Sequence, residues 1–219
     1  GSGINNDGRS LGIMAPSWKG QLALLKNTYE KSGIDPANIS AIEAHGTSTR
    51  IGDGVELSVI ERFFPLDPNN PITVGSVKSN FGHTLAASGI AGLLKMILAI
   101  HHKQLPPSIH EEIDSKKKLS EKGIEIPTQL SEWKSDVLRT AGVSSFGFGG
   151  TNAHMILREP SKAPVFKSVL SSANLRKSFS YDFFPVKQYN DKPIFFQKWT
   201  KTDLKEIEIT YNPHNWIII

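Results

Sequence analysis

The sequence predicts an α/β layered domain over residues 1–160, followed by a largely irregular linker over residues 161–219. Three observations carry this prediction. Helical and strand-like segments alternate through the first 160 residues, the pattern of a sheet with helices packed on it. From Thr84 to His101 the chain is apolar nearly all round, as a buried helix is. Beyond Pro160 the character changes, and aromatic residues from Phe166 to Trp216 crowd a segment with little helical or strand period. That segment reads as a linker, or the truncated start of a further region, in need of a surface to pack on.

Each element has its own signal. Trp18 to Lys31 places Leu22, Leu25 and Tyr29 at helical spacing and stops at Ser32-Gly33. Asp35-Pro36 opens a turn, and Ile39 to Ala44 alternates as a strand that delivers His45 at its C-terminal end. Asp53 to Phe64 reads as a second helix and Ile72 to Val77 as a short strand. Ala86, Ala87, Ser88, Gly89, Ala91 and Gly92 let neighbours approach the apolar helix closely. A polar loop follows Pro106-Pro107 as far as Lys122. Thr140 to Ser144 and Asn152 to Leu157 then read as two strands joined by the Gly-rich turn Ser145 to Gly150.

Composition excludes several classes. With 25 Lys+Arg against 21 Asp+Glu the net charge is only +4, and the basic run Lys116 to Lys118 sits beside Glu111, Glu112 and Asp114. This reads as a solvated loop rather than a nucleic-acid footprint. The absence of cysteine removes disulfides, thiolate metal sites and thiol nucleophiles together. Leu85 to Ile100 contains Lys95 and falls short of the ~18 uninterrupted apolar residues of a membrane span. No leader is legible after Gly1. The expectation is a cytoplasmic chain with neither nucleic acid nor membrane among its partners. Without an initiator Met, and ending on Trp216-Ile217-Ile218-Ile219, it reads as excised from something longer.

Three Gly/His-rich segments, Glu43 to Thr49, Gly75 to His83 and Gly142 to His154, stand at the ends of the predicted strands. Strand C-terminal edges are where α/β sheets bind ligands, so the three are expected to converge on one pocket. His45 and His83 can each donate an N–H to one oxygen, forming a site for an enolate or oxyanion, with Lys78 as a nearby positive charge. The amides of Phe148-Gly149-Gly150 offer a further donor, and Thr47 and Thr49 offer hydroxyls to a polar linear ligand. Plainer readings stand beside these: a turn histidine bonding its own backbone, or a surface lysine. The two histidines show no His-x-x-x-His spacing, and Gly147 to Thr151 lacks the Gly-Lys-Ser/Thr ending of a phosphate loop. No metal is assigned.

Taken in order, Ile4-Asn5-Asn6-Asp7-Gly8, Glu43 to Thr49, Gly52-Asp53, Gly75 to His83, Ala86 to Lys95 and Ala141 to His154 resemble the C-terminal half of the ketosynthase domain of modular polyketide synthases. These are thiolase-fold condensing enzymes. The resemblance implies half of a layered α-β-α fold and a β-ketoacyl synthase, in which decarboxylation of a malonyl thioester leaves an enolate that attacks an acyl group on a cysteine. It assigns His45 and His83 to stabilising the enolate and thioester oxygen, Lys78 to orienting the second histidine, and Thr47 and Thr49 to the phosphopantetheine arm of an acyl carrier protein. Phe148 would gate the acyl pocket, with the Phe148-Gly149 backbone at the oxyanion hole. No cofactor is implied beyond that arm.

The family's nucleophilic cysteine lies in the other half of the domain, and without a thiolate no acyl-enzyme forms. A partner half bearing that cysteine is therefore implied, together with a homodimer of the complete domain and a large apolar face on this half alone. Ser48 stands where the family usually has Gly, and Gly54 where it usually has Pro. Two rival readings remain. One is a non-catalytic carrier-binding scaffold, against which the retention of His45, Lys78 and His83 weighs. The other is the fatty-acid version of the same enzyme, from which Val143-Ser144-Ser145-Phe146 and the long tail lean away.

Overall fold

The computed structural model describes residues 1–8, 12, 15–109 and 118–161, and the backbone of residues 177–189 and 192–203. The chain forms two compact units, Gly1–Lys162 and Ala163–Ile219. The first contains, in chain order, β1 (Ser2–Asn6), α1 (Trp18–Ser32), β2 (Ala41–Glu43), α2 (Arg50–Phe63), β3 (Ile72–Gly75), α3 (Lys78–Phe81), α4 (Ser88–His102), β4 (Gln104–Leu105), β5 (Ile124–Glu125), β6 (Ser131–Glu132), β7 (Thr140–Phe146) and β8 (Thr151–Arg158).

One sheet runs in the order β1-β8-β7-β2-β3-β5. Strands β7, β2, β3 and β5 are mutually parallel, whereas β8 and β1 are antiparallel additions. The C-terminal ends of the parallel strands therefore share one edge, and the loops after β2, β3 and β7 meet there. Side chains along each strand alternate between faces. Ile42, Val74 and Ile156 pack with Leu25 and Tyr29 of α1 and Val59 and Ile60 of α2. Ala41, Ala141 and Val143 pack on the opposite face with Met96, Ala99 and Ile100 of α4 and with Trp133. The result is the layered α-β-α half that the motifs imply.

Local chemistry explains the boundaries. Ser17 caps α1 by accepting from the Gly20 amide at 3.2 Å, and Gly33 ends it with φ +64°. Helix α2 begins at Arg50, ahead of the expected Asp53, because extended Thr49 serves as its N-cap and its carbonyl already accepts from Asp53 N at 2.9 Å. Strands β1 and β5 were not anticipated. They occupy the two sheet edges, and an edge strand needs little apolar alternation: Ile4 of β1 is exposed.

Helix α4 corrects one expectation. It was read as buried all round, and it is buried on one side only. Met96 and Ala99 face the sheet, while Ile90 and Leu94 are each 52% exposed, with Ile97 and Leu98 on the same open stripe. The sheet can cover only one face of a helix, and among the described residues of the first unit no second layer covers the other. The segment Leu85–His102, with mean hydropathy 1.4, is long and apolar enough to cross a membrane by length and composition. Its inner face nevertheless packs on the sheet, and Lys95 forms an ion pair with Glu43 at 2.7 Å. Those contacts make α4 a layer of a folded domain.

The second unit also differs from expectation. Within the segment read as irregular, β9 (Lys177–Tyr189) and β10 (Lys192–Asp203) pair antiparallel from Lys177↔Asp203 to Tyr189↔Lys192, with a register shift at Ile194/Phe195. Phe179, Tyr181 and Phe183 follow the period of two that a strand requires, a pattern obscured by the adjacent Phe184. Most of the basic run at Lys116 to Lys118, along with His110, His214 and the apolar ending, lies outside the described residues.

His154, on β8 opposite Ser144, is buried between the sheet and α1. Its Nε2 lies 3.3 Å from the Tyr29 hydroxyl and its Nδ1 3.0 Å from Ser144 Oγ. Burial pushes its pKa down to about 3 and raises that of Tyr29. An unfolded histidine titrates near ~6.5, so the stability contributed by neutral His154 is complete above that pH and is lost as pH falls towards its folded value. We expect the denaturant midpoint of the complete domain to drop between pH 6.5 and 4, at up to about 1.4 kcal/mol per pH unit, and His154→Gln to flatten the slope. Parallel slopes for the two proteins would assign the acid sensitivity elsewhere.

Candidate active site

His45 follows β2 and is held from three sides. Glu56 of α2, buried at the back of the cleft, accepts from His45 N at 2.8 Å with one carboxyl oxygen and from Gly46 N at 3.0 Å with the other. Ser76, after β3, donates its hydroxyl to Gly46 O at 3.2 Å. The Gly46 Cα approaches so closely that an added Cβ would lie 2.8 Å from Ser76 Cβ, and its φ is +41°. Only glycine satisfies both demands. On the far side, Phe146 N donates to His45 Nδ1 at 3.2 Å. With Nδ1 accepting, the imidazole proton resides on Nε2. Burial foremost, then the charges of Lys78 and His83, push the His45 pKa down to about 4, so the ring is neutral at pH 7.

His83 is fixed in the same tautomer by a different device. Leu85 N donates to His83 Nδ1 at 3.0 Å, which again places the proton on Nε2. This contact puts Leu85 at φ +51°, a left-handed conformation costing an L-residue about 1–2 kcal/mol. Strain of this kind concentrates where function needs a particular geometry. The two imidazole rings lie 5.8 Å apart, edge to face at 85°. Both line one cleft of about 1150 Å³, so all three Gly/His-rich segments do meet at the shared edge of the sheet.

Thr47, Thr49 and Phe148 line the same cleft, with the two threonine hydroxyls 3.2 Å apart. Gly149 lies in the exposed turn, where its carbonyl accepts from Asn6 Nδ2 at 3.2 Å. The Gly150 amide is already engaged, donating to Gly147 O at 3.3 Å, so it is not a free oxyanion donor. Lys78 opens α3 and is half-buried. Burial lowers its pKa, while the carboxylates of Glu43, Glu56 and Asp53 oppose the shift. Its charge acts on His45 through the protein rather than from the cleft wall. Ser48 adopts φ +59°, so the unusual side chain does sit in a left-handed turn, whereas Gly54 falls inside α2 with open space around it.

Sequence reasoning missed the polar frame behind the histidines. Glu43, 2% exposed, accepts from Val77 N at 2.6 Å and from Lys95 Nζ at 2.7 Å. Burial raises its pKa, and Lys95 and the Val77 amide pull it back. With both oxygens accepting, it is held as a carboxylate. Asp7, on the cleft wall, accepts from Asn152 Nδ2 at 2.6 Å and from Ser17 N at 3.1 Å. The available signal was a charged residue inside the otherwise apolar strand Ala41-Ile42-Glu43-Ala44, because a buried carboxylate requires partners.

Fold and site together define one half of a thiolase-like acyl-condensing domain: two imidazoles whose Nδ1 atoms accept from backbone amides turn their Nε2 atoms to one cleft at a parallel sheet edge, with no thiol of their own. The comparisons make the class specific. The family model described as "Beta-ketoacyl synthase, C-terminal domain" matches residues 1–112, and "Ketoacyl-synthetase C-terminal extension" matches residues 114–178. The chain belongs to the β-ketoacyl synthase family, as the C-terminal part of its ketosynthase domain. It is 42% identical over 180 residues to the highly reducing polyketide synthase anuA of Penicillium roqueforti, covering 81% of this chain and 8% of that protein. It is also 42% identical to 5-methyl-1-naphthoate synthase of Streptomyces sahachiroi, over 74% of this chain and 9% of that one. A solved ketosynthase from module 6 of the bacillaene synthase of Bacillus subtilis superposes with TM-score 0.67 at 40% identity, covering 74% of this chain and 31% of the other. The chain thus spans under a tenth of the length of these curated relatives and about a third of the solved domain.

Proposed function

We propose that this chain supplies the two histidines of a polyketide-forming ketosynthase and catalyses decarboxylative condensation only when completed by the cysteine-bearing half. The observation that carries the reading is the paired tautomer: two backbone amides occupy the two Nδ1 atoms, leaving both Nε2–H groups as donors on one cleft. In the reaction, the carbon–carboxylate bond of the malonyl thioester breaks, CO₂ leaves, and its electron pair passes into an enolate. The imidazole N–H groups stabilise that developing oxygen charge. The enolate carbon then attacks the acyl thioester on the partner half's cysteine, and the thiolate departs. A neutral His45 suits this role, since it donates to the oxyanion without being drawn into proton transfer at pH 7.

The substrate arrives on the phosphopantetheine of an acyl carrier protein, its amides meeting Thr47 and Thr49, and Phe148 stands at the acyl side of the cleft as a gate. No other cofactor enters the reaction. The open stripe of α4 is the face on which the cysteine-bearing half packs, and the complete domain dimerises. The setting is the cytoplasm, away from membrane and nucleic acid.

Reconstitution tests this directly. Supplied with carrier-bound malonyl and acyl groups, the chain alone should release no condensed product, and the same chain joined to or mixed with the cysteine-bearing half should release both CO₂ and the extended chain. Carrier binding without condensation by the completed domain would establish a scaffold instead. Exclusively unbranched saturated products from the whole synthase would sink the polyketide assignment.

A further inference from the structure

The two histidine loops do not hold their spacing by themselves, and the groups that tie them together lie behind the cleft. Ser76 joins the loops at the front through its bond to Gly46 O. Behind it, Glu43 is the last residue of β2, two positions before His45, while Val77 directly precedes Lys78 on the segment that ends in His83. The Glu43 carboxylate spans the gap between these segments by accepting the Val77 amide at 2.6 Å. Its second oxygen is held at 2.7 Å by Lys95 of α4, and the side chains of the pair are 2% and 10% exposed.

Two glycines show that this pair has space made for it. A Cβ at Gly92 would lie 2.9 Å from Glu43 Cγ, and a Cβ at Gly75 would lie 2.7 Å from Ser108 Oγ and 3.3 Å from Lys95 Nζ. The backbones of α4 and β3 thus leave room that any larger residue would close. A buried carboxylate without its cation is costly, and so is a buried ammonium, so the pair holds only as a unit. That unit joins β2, the Val77–His83 segment and α4.

We propose that the Glu43–Lys95 ion pair is a positioning device for condensation: it fixes the Lys78–His83 segment against the His45 loop and so sets the distance between the two N–H donors. Neither residue touches substrate. Both act through the Val77 amide and the segment it begins. This inference rests on the ketosynthase reading above and names residues that the reading does not use.

The test is made in the complete synthase domain, with Lys95→Met, Lys95→Arg, Glu43→Gln and the wild type compared by steady-state condensation and thermal unfolding. A displacement of order 1 Å in a catalytic group costs about 10²-fold in rate, so Lys95→Met is expected to lower kcat by roughly 10- to 100-fold with KM for the carrier-bound extender within about twofold. Lys95→Arg restores the cation and is expected to recover most of kcat. Glu43→Gln keeps an acceptor for Val77 but loses the ion pair, and is expected to fall between the two. The pH profile separates positioning from simple destabilisation. Without Lys95, the carboxyl retains Lys78 as its nearby cation and the Val77 amide as its donor, with Glu56 across the His45 loop. Its protonation then shifts to higher pH, so the loss of rate in Lys95→Met should be relieved as pH rises. Three results overturn the proposal: kcat of Lys95→Met within twofold of wild type, kcat falling only in proportion to the folded fraction, or no recovery in Lys95→Arg while that variant remains folded. If Lys95→Met does not fold, Glu43→Gln and Lys95→Arg decide the question by the same criteria. A wild-type domain that fails to condense would defeat the ketosynthase reading itself, which is a different outcome from an active wild type matched by an equally active Lys95→Met.

Discussion

His45→Ala and His83→Ala, each made in the complete domain, are expected to lower kcat for condensation by about 10²- to 10³-fold while leaving KM for the carrier-bound extender little changed. Each imidazole donates one hydrogen bond to an oxygen whose charge grows only as the reaction proceeds, so its loss is felt in the transition state and hardly in substrate binding. The double variant should cost less than the product of the single losses, because both donors serve the same oxygen-charge development. His45→Ala also frees the Phe146 amide and His83→Ala frees that of Leu85, but both amides lie at the cleft, where water replaces the partner. Folding should therefore survive, and a thermal melt checks it. His45 stays neutral down to about 4, so its own protonation should not set an acid limb of kcat above that pH. If either single variant keeps more than a tenth of wild-type kcat while folded, the paired-donor mechanism is wrong.

How much of this was legible in the sequence depends on the kind of signal each feature leaves. The helices and the central parallel strands were readable because burial imposes a period, as at Leu22, Leu25 and Tyr29 or at Ile72 to Val77. The site histidines were readable because a functional His needs a Gly-rich loop around it, as at His45-Gly46 and Gly82-His83. Edge strands β1 and β5 left no such trace, since an edge answers to pairing rather than to burial on both faces. The resemblance implied an apolar face on this half, but not that it would be one stripe of α4. An apolar surface that awaits a partner has the same composition as one that already has a partner, so Ile90 and Leu94 looked like Met96. The tautomers were invisible for a further reason: the amides of Phe146 and Leu85 that fix them are backbone groups, and every residue but proline carries one. Glu43 and Lys95 are intermediate. Each stood out as a charge in an apolar run, but their pairing across 52 residues is a property of the fold alone.

Trp133→Ala is expected to be the most destabilising single change outside the site, costing about 3–5 kcal/mol. The sequence places Trp133 in a polar stretch with Glu132 and Lys134 on either side, yet it is 2% exposed and packs beneath α4 with Met96, Ala99 and Ile100. Its Nε1 donates to Ser40 Oγ at 3.1 Å, its amide to Lys103 O at 2.8 Å, and its carbonyl accepts from Arg139 Nε at 2.8 Å. It thus joins the end of α4 to the start of β2 and to the approach to β7. Removing the indole opens a large cavity that its neighbours cannot fill, because Ala41, Ala99 and Ala141 around it are short and α4 is fixed at Lys95 by the ion pair. Trp133→Phe keeps most of the volume and loses the bond to Ser40, so it should cost roughly a third to a half as much. Denaturant titration of the complete domain at pH 7 measures both. Because α4 carries Lys95, the loosened helix should also weaken the grip of Glu43 on Val77, so Trp133→Ala should lose kcat beyond its loss of folded protein. A cost below about 1 kcal/mol would show that α4 is held by contacts other than this one.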